Sequence, residues 1–459
     1  MTGYVVAPDE RSGRADDVAP RGTHWARFAD RVVTWAPEPA RLGRGARTAD
    51  RLLLITQVGR SFQDAHPDLT PVLEHGRHLV VADTDPSLLA VTPDAEPGAD
   101  EHAHWRVEPL PADAVVVGLP AAPPARVDPA IAGLLGELSS PLYAADVAWL
   151  AGLPTRHSLS THFATAAGWA AARMTALGFA ATRVPITVGA GTSENVIGDR
   201  AGVGSGPRDL VLITAHLDSV NLAGGPAASA PGADDNASGS AGVLELARVL
   251  AAHAWRADVR LILFGGEEQG LHGSQQYVAA LPGADRARLR AVLNMDMIAT
   301  RNSPAPTVLL EGATVSAGLI ADLATAAATY TGLRVETSLS PFASDHVPFI
   351  TAGLPAVLTI EGADSANGHI HSANDTLAFI DHAFALDILR MNLAALAGWL
   401  GSTSGAPRPA GSAVSWGPGR LDVFVVGTDS TLQHTWWEGA GWQPSPGGFE
   451  TLGGTIARP

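Results

Sequence analysis

Short apolar runs alternate with longer amphipathic stretches between about residue 150 and residue 400. The apolar runs that predict strands are 210–215, 259–264, 291–295, 307–310 and 356–360. The stretches whose periodicity predicts helices are 163–177, 241–253, 274–281, 317–331 and 383–400. Strands that are apolar throughout and alternate with helices indicate a mainly parallel sheet covered on both faces. We therefore predict an α/β fold with a mostly parallel mixed sheet, and expect its functional residues beyond the carboxyl ends of the strands.

The regions on either side of this pattern differ from it. Residues 1–149 are rich in Pro, Asp and Arg, and short β-branched runs predict a β-rich or mixed domain that is an accessory or pro-segment-like cover. Residues 150–401 would then form the α/β domain, and the Ser/Gly/Pro/Ala composition of 402–413 predicts a linker. Residues 414–459 predict a short all-β tail crowded with tryptophan.

Composition and charge narrow the function classes. The chain has 459 residues, of which 46% are hydrophobic, so it can bury a large core. Its net charge of −16 argues against nucleic acid and anionic membranes as partners. The sequence contains neither Cys nor Lys, which excludes thiolate chemistry, a Schiff-base lysine and the lysine of a phosphate-binding loop. Chemistry must therefore come from serine, carboxylates, metals and the 16 histidines.

The sequence shows no recognisable targeting signal. No apolar run approaches the roughly 18 residues that a membrane span requires. The opening residues lack the charged start and apolar stretch of a signal peptide. We expect a chain without a membrane span, and these features do not determine its cellular compartment.

Acidic residues and histidines fall where the predicted strands end. His216 and Asp218 follow the strand at 210–215, and Asp296 follows the strand at 291–295. An acidic turn at 231–239 contains Asp235, and His371 lies at 368–376, ahead of the last predicted helix. Gly265-Gly266-Glu267-Glu268 follows the strand at 259–264. These places can converge on one rim, and two histidines with several carboxylates and no sulfur suit divalent cations, above all zinc. Adjacent glutamates are costly unless a metal neutralises one, which suggests a ligand beside a general base.

This ordered set resembles the two-zinc aminopeptidases of the bacterial leucyl aminopeptidase type, relatives of glutamate carboxypeptidase II. The resemblance covers about residues 150–400 and implies a zinc exopeptidase-like fold with two Zn²⁺ ions. It implies that Glu267 is the general base and that Asp218 lies behind the first histidine ligand. The metal ligands implied by position are His216, Asp235, Glu268, Asp296 and His371.

Two positions depart from the family. Some members carry Tyr immediately before the last histidine ligand, where this chain has Ile370, and others carry Arg where it has Ala343. The donor that polarises the substrate carbonyl is therefore open. The residues we consider as walls of a substrate pocket are Asp345, His346 and His369.

The leading hypothesis is a di-zinc aminopeptidase that acts on peptides, and the preference for apolar N-terminal residues follows from the resemblance alone. A two-metal carboxypeptidase or N-acyl amino-acid deacylase is the rival enzyme. A non-catalytic binding protein on a peptidase scaffold is the alternative from another class. The family also favours an extracellular location.

The tail suggests a further contact. Residues 415–437 resemble one repeat of bacterial β-propeller lectins, but a propeller needs several blades. We expect this repeat to dock on the α/β domain, to mediate association with another chain or to contact a sugar.

Overall fold

The structure is a computed structural model. It describes residues 2–8, 22–42, 46–83, 104–120, 122–203, 206–401, 412–417, 420–426, 431–439, 441–444 and 449–453. The sequence-predicted linker at 402–413 lies almost entirely outside the described residues.

The N-terminal region folds as two small packed sheets. Its strands are β1 (Thr2–Pro8), β2 (His24–Phe28), β3 (Arg31–Ala36), β4 (Arg47–Ala49), β5 (Arg51–Gln57), β6 (Leu73–His75), β7 (His78–Asp83), β8 (Trp105–Pro109) and β9 (Ala114–Val117), with one short helix, α1 (Ser61–Ala65). Among the described residues the strand orders are β4-β1-β3-β2-β9 and β6-β7-β5-β8. Leu52 and Leu54 of β5 face a core shared by both sheets, whereas Leu53 and Ile55 face a second core with Phe62. Alternate side chains of a strand point to opposite faces, which explains this division.

One mixed sheet organises the central region. Its strands are β10 (Ala180–Val188), β11 (Gly191–Arg200), β12 (Leu210–His216), β13 (Asp258–Phe264), β14 (Leu289–Met295), β15 (Thr307–Glu311), β16 (Arg334–Ser338) and β17 (Ala356–Glu361). They lie in the order β10-β11-β13-β12-β14-β17-β15-β16. The strands in the middle of the sheet, β13-β12-β14-β17, are parallel to one another. On one side of them β11 pairs antiparallel with β13 and with β10, and on the other side β15 pairs antiparallel with β17. The carboxyl ends of the parallel strands therefore meet at one edge.

Helices cover both faces of this sheet. They are α2 (Pro129–Leu135), α3 (Ser140–Ala151), α4 (Thr161–Ala176), α5 (Gly239–Ala251), α6 (His272–Ala280), α7 (Gly283–Arg288), α8 (Ala317–Tyr330), α9 (His346–Thr351) and α10 (His382–Leu400). Val211 and Ile213 of β12 pack in the core beneath α3, α4, α5, α8 and α10, while Leu210 and Leu212 pack in the core that includes Val278 of α6 and Phe349 of α9. The α/β fold expected from the apolar strands is confirmed.

Two features differ from the sequence-based expectation. The sequence does not predict the hairpin of β10 and β11. Because β10 is largely exposed, its apolar and polar residues do not alternate as they do in a strand with one buried face. Leu134 of α2 and Tyr143 of α3 belong to the core of the central sheet. The packing of the central region therefore begins before residue 150, ahead of the boundary that the sequence suggested.

Helix α10 is long and apolar enough to cross a membrane by length and composition alone. Its most apolar window is 72% buried inside the fold. The helix packs on α8, and Trp399 Nε1 donates a hydrogen bond to Asp322 Oδ2 of α8 at 2.8 Å. Burial of this kind is typical of a core helix.

The described part of the tail is an antiparallel sheet. Its strands are β18 (Ser412–Gly417), β19 (Arg420–Val426), β20 (Leu432–Glu438), β21 (Trp442–Gln443) and β22 (Glu450–Gly453). β19 pairs with β18 and β20, and β20 also pairs with β21 and β22. An all-β tail was expected, but its likeness to a lectin repeat stays a prediction.

Candidate metal centre

His216 is the last residue of β12 and lies at the carboxyl edge of the sheet, where its side chain is 1% exposed. Its Nε2 lies 3.1 Å from Asp296 Oδ1 and 3.2 Å from Asp235 Oδ1. Asp296 directly follows β14, the strand that pairs with β12. The parallel register therefore places these two side chains side by side.

Asp235 connects the two histidines. Its other oxygen, Oδ2, lies 3.0 Å from His371 Nε2, and the same nitrogen lies 3.3 Å from Glu268 Oε2. His371 follows the loop after β17 and has a positive φ of 54°. The structure thus brings together the five residues that the sequence suggested as ligands, from five separate stretches of chain.

A carboxylate behind the acidic turn holds Asp235 in place. Asp375 accepts hydrogen bonds from the backbone N–H of Asp234 and Asp235, both at 2.9 Å. The Asp234 side chain points away from the histidines and accepts from Asn367 Nδ2 at 2.9 Å and from Ala299 N–H at 3.0 Å. Asp234 is therefore a turn residue that supports Asp235.

Asp218 holds the turn that carries the two glutamates. Its two oxygens accept from the backbone N–H of Glu267 at 3.3 Å and of Glu268 at 3.2 Å. The sequence implied that Asp218 lies behind the first histidine ligand, either accepting the second ring N–H of His216 or orienting it through water. His216 Nδ1 and Asp218 Oδ1 lie 3.7 Å apart, which is too long for a direct hydrogen bond. The direct hydrogen bonds of Asp218 go to the next strand exit.

Electrostatics at this edge are dominated by burial and like charge. Burial, with Asp296 among the nearby carboxylates, raises the pKa of Glu267 well above its usual value, although His216 opposes the rise. Burial followed by the charge of Asp235 raises the pKa of Glu268 in the same way. For Asp235, burial is outweighed by hydrogen bonds from His216 and His371, and the pKa falls below its usual value.

The residues present fit a divalent cation. Ligand atoms of His216, Glu267 and Asp296 lie within 4.8 Å of one another, as do those of His216, Asp235 and Glu268. All of these residues are buried, and Glu268 Oε1 has no hydrogen-bond partner among the residues that the structure describes. Four buried carboxylates facing two imidazoles are costly without further positive charge. A bound metal ion would supply that charge.

The residues that line the cleft at this edge include partners that the sequence did not suggest. The lining consists of Val58, Arg77, His104, His216, Asp235, Glu267, Glu268, Asp296, Met297, Ala343, Ile360 and His371. The first three belong to the N-terminal domain, which carries no motif and gave no signal of its role. Ala343 does line the cleft, so the position where some relatives carry Arg is a wall of the site.

The three suggested substrate-pocket residues lie outside this lining. Asp345 and His346 are fully buried, and His346 Nε2 lies 3.3 Å from Glu311 Oε1. The His369 ring stacks on Phe379, with 3.6 Å between the ring centroids. Their position in the sequence close to the site residues does not bring them to the cleft lining, because Asp345 and His346 are buried inside the fold and the His369 ring packs on Phe379.

The family comparison agrees with this geometry. Residues 195–396 match the model of peptidase family M28. The chain is 32% identical over 192 residues to aminopeptidase YwaD of Bacillus subtilis, which covers 41% of this chain and 41% of that protein. It is also 32% identical over 191 residues to a probable leucine aminopeptidase of Arthroderma benhamiae, which covers 40% of this chain and 52% of that protein. The chain thus spans about half or less of the length of these relatives.

Solved structures show the same fold. A zinc aminopeptidase from Bacillus subtilis superposes with a TM-score of 0.51 at 18% identity, covering 57% of this chain and 95% of that one. The LapA aminopeptidase of Legionella pneumophila gives a TM-score of 0.54 at 17% identity, covering 77% of this chain and 99% of that one. Together with the family match, these likenesses extend over the sheet that carries the candidate metal centre. Over residues 195–396 this chain is therefore similar to peptidase family M28.

Proposed function

We propose that this chain is a two-zinc aminopeptidase that removes apolar residues from the N-terminus of peptides. The observation that carries the proposal is the placement of Asp235, whose two oxygens lie 3.2 Å and 3.0 Å from two different histidines. This carboxylate would bridge two ions. His371 and Glu268 would complete one ion's ligands, and His216 and Asp296 would complete those of the other.

Bound zinc would polarise the scissile carbonyl and lower the pKa of a bound water. Glu267 would accept the proton of that water and deliver it to the leaving amine. Asp218 would fix the position of Glu267 through the backbone N–H at 3.3 Å.

The segment between Asp296 and His371 favours an aminopeptidase over the rival deacylases. The elements β15, α8, β16, α9 and β17 fill this segment and belong to the central sheet or its cover, whereas the rival deacylases usually insert a separate dimerisation domain there.

A matched pair of variants tests the proposal. In Glu267→Gln we expect the zinc content to stay unchanged while hydrolysis of a leucyl chromogenic amide is lost, because a proton acceptor is removed and the ligands remain. In Glu268→Gln we expect zinc to be lost as well. Zinc is measured by atomic absorption, and wild-type turnover should stop after chelation.

The outcomes separate the alternatives. Turnover of N-acylated substrates alone would favour a deacylase. A chain that binds zinc but hydrolyses none of the unblocked or acylated substrates, whether the N-terminal domain is attached or released, would favour a binding protein. Empty metal sites in Glu267→Gln would reassign Glu267 from base to ligand.

A further inference from the structure

Three loops of the N-terminal domain reach into the cleft of the candidate metal centre. Val58 directly follows β5, Arg77 directly precedes β7 and His104 directly precedes β8, so all three come from the same end of one sheet. The His104 ring lies 5.5 Å from the ring of His371, centroid to centroid. We call the described residues from 2 to 118 the cap.

The cap approaches the metal centre too closely to leave room for a substrate. A Cβ atom added to Gly59 would lie 2.8 Å from Ile370 Cδ1, the residue before His371. The space left among the lining residues is about 20 Å³. A volume of this size holds about one water, whereas sites for small molecules typically measure roughly 300–1,000 Å³. The cleft is therefore closed in this conformation.

Polar contacts hold the cap in this position. Arg77 donates to Asp364 Oδ2 from Nε at 3.1 Å and from Nη2 at 3.0 Å, and its Nη1 lies 3.5 Å from Glu311 Oε1. Ser365 Oγ donates to the carbonyl of Gly76 at 2.6 Å. Such contacts fix one docking geometry, because each charged group is buried and needs its partner.

The cap keeps its own hydrophobic cores. The two clusters of buried apolar residues in the cap contain no residue beyond Val117 among those described, and the main core of the central sheet begins at Leu134. Interfaces between domains that are polar and lack a shared core permit relative movement. The cap can therefore leave the cleft without exposing either core.

An exposed connection joins the cap to the central domain. The described residues between 119 and 128 form neither helix nor strand, and those from 123 to 128 are exposed. They touch α8 through hydrogen bonds from Ala125 N–H to Thr329 Oγ1 at 2.9 Å and from Asp128 N–H to Tyr330 Oη at 3.0 Å. This connection is accessible to proteases and long enough to act as a hinge.

We propose that the cap is an intramolecular inhibitor: it closes the metal centre, and substrate enters only after the cap swings away or is released by cleavage of the connection at 119–128. The proposal rests on the proposed function for its activity readout. A closed cap should also slow the exchange of a bound metal with the solvent, and this readout does not depend on catalysis.

Trypsin provides the test, because the chain contains no Lys and Arg126 is the single Arg between residues 119 and 128. Limited digestion of the zinc-loaded full chain should cut after the exposed Arg126, as checked by mass spectrometry. The control is Arg126→Gln digested in parallel, in which this connection stays intact. Leucyl amide turnover and the half-time of zinc loss to a chelator are measured for both chains over a range of protein concentrations.

Cleavage changes the concentration dependence. A tethered cap acts at an effective concentration of about millimolar, whereas a cut cap acts at the actual protein concentration. At nanomolar protein we expect the cut chain to turn over substrate at least an order of magnitude faster than the control, and to lose zinc faster. Its specific activity should fall again as the protein concentration rises, while that of the control stays constant.

The two readouts separate the two proposals. If the cut chain at the lowest concentration matches the control in both zinc loss and turnover, the cap does not close the site. If zinc loss accelerates on dilution but no unblocked peptide or amide is hydrolysed, the cap proposal stands and the proposed function fails.

Discussion

Replacing Arg77 by Met should destabilise the chain strongly, because it leaves two buried carboxylates without their cation. The exposed fractions of the side chains are 3% for Arg77, 0% for Glu311 and 1% for Asp364. Breaking a buried ion pair by removing one partner costs about 3–5 kcal/mol. With a urea dependence of about 3 kcal/mol per molar, the midpoint of unfolding should fall by about 1 M or more at pH 7.

The pH dependence of this loss follows from the two carboxylates. Burial opposes ionisation of Glu311, but the charges of Arg77 and His346 outweigh it and lower the pKa from 4.5 to about 2. That fall corresponds to about 3 kcal/mol of stability, which is fully present above pH 4.5 and is lost as the pH falls towards 2. For Asp364, burial raises the pKa more than Arg77 lowers it, so this residue does not add to the loss.

Without Arg77 the contribution of Glu311 changes sign. Burial would then raise the pKa of Glu311 above its usual value, and the variant would gain stability as the pH falls through that raised pKa. The difference between wild type and Arg77→Met should therefore be large at pH 7 and smaller near pH 4. Urea titrations followed by circular dichroism at both pH values measure it.

A control variant separates the buried pair from the interface as a whole. Arg106 contacts the same surface of the central domain through Ser340 Oγ at 2.6 Å, but its side chain is 29% exposed. We expect Arg106→Met to cost about 1 kcal/mol or less. Equal urea midpoints for Arg77→Met and wild type at pH 7, or a difference that stays constant down to pH 4, would refute the reasoning.

Three further predictions concern the turns around the metal centre. Asp218→Asn leaves one acceptor oxygen for the backbone N–H groups of the two glutamates, so we expect kcat/KM to fall by about 10- to 100-fold. Unchanged kinetics would contradict the role of Asp218 in holding this turn. Asp375→Asn should weaken zinc binding, measured by chelator competition, since one of two backbone donors loses its acceptor; equal affinity would count against it. Gly59→Ala should lower the free energy of unfolding by more than Gly178→Ala does. Both have positive φ, but only the new Cβ at Gly59 meets a neighbour, so equal losses would locate the whole effect in the backbone.

Strand periodicity and strand ends are local properties, so the sequence could place acidic residues and histidines at strand exits and in loops ahead of helices. Parallel strands bring their exits to one edge, and the family resemblance then singled out five of these residues as ligands. The start of α4 depends on a local signal of the same kind: Ser160 accepts a hydrogen bond from Phe163 N–H at 3.1 Å, and α4 begins at the next residue. Such signals need no knowledge of distant segments.

Other features depend on which segments meet in space, and the sequence did not reveal them. Asp218 was expected to lie behind His216, and no local signal indicated that β13 ends beside β12 and brings two backbone donors closer to this carboxylate than the imidazole. Asp345 and His346 were grouped with the pocket because they lie near site residues in the family pattern, yet both face the interior. Val58, Arg77 and His104 belong to no motif, since their importance arises only from docking of the cap.

The acidic edge and the cap are physically connected through charge. The fold concentrates Asp235, Glu267, Glu268 and Asp296 at one edge, and this arrangement favours any cation that can reach it. Arg77 reaches the cleft from the cap. Burial opposes the charged form of this guanidinium, but the charges of Asp364 and Glu311, and then that of Asp296, outweigh burial and raise its pKa. The cap therefore brings a guanidinium to this acidic edge, which explains how a domain without any catalytic motif can be held at the mouth of the metal centre.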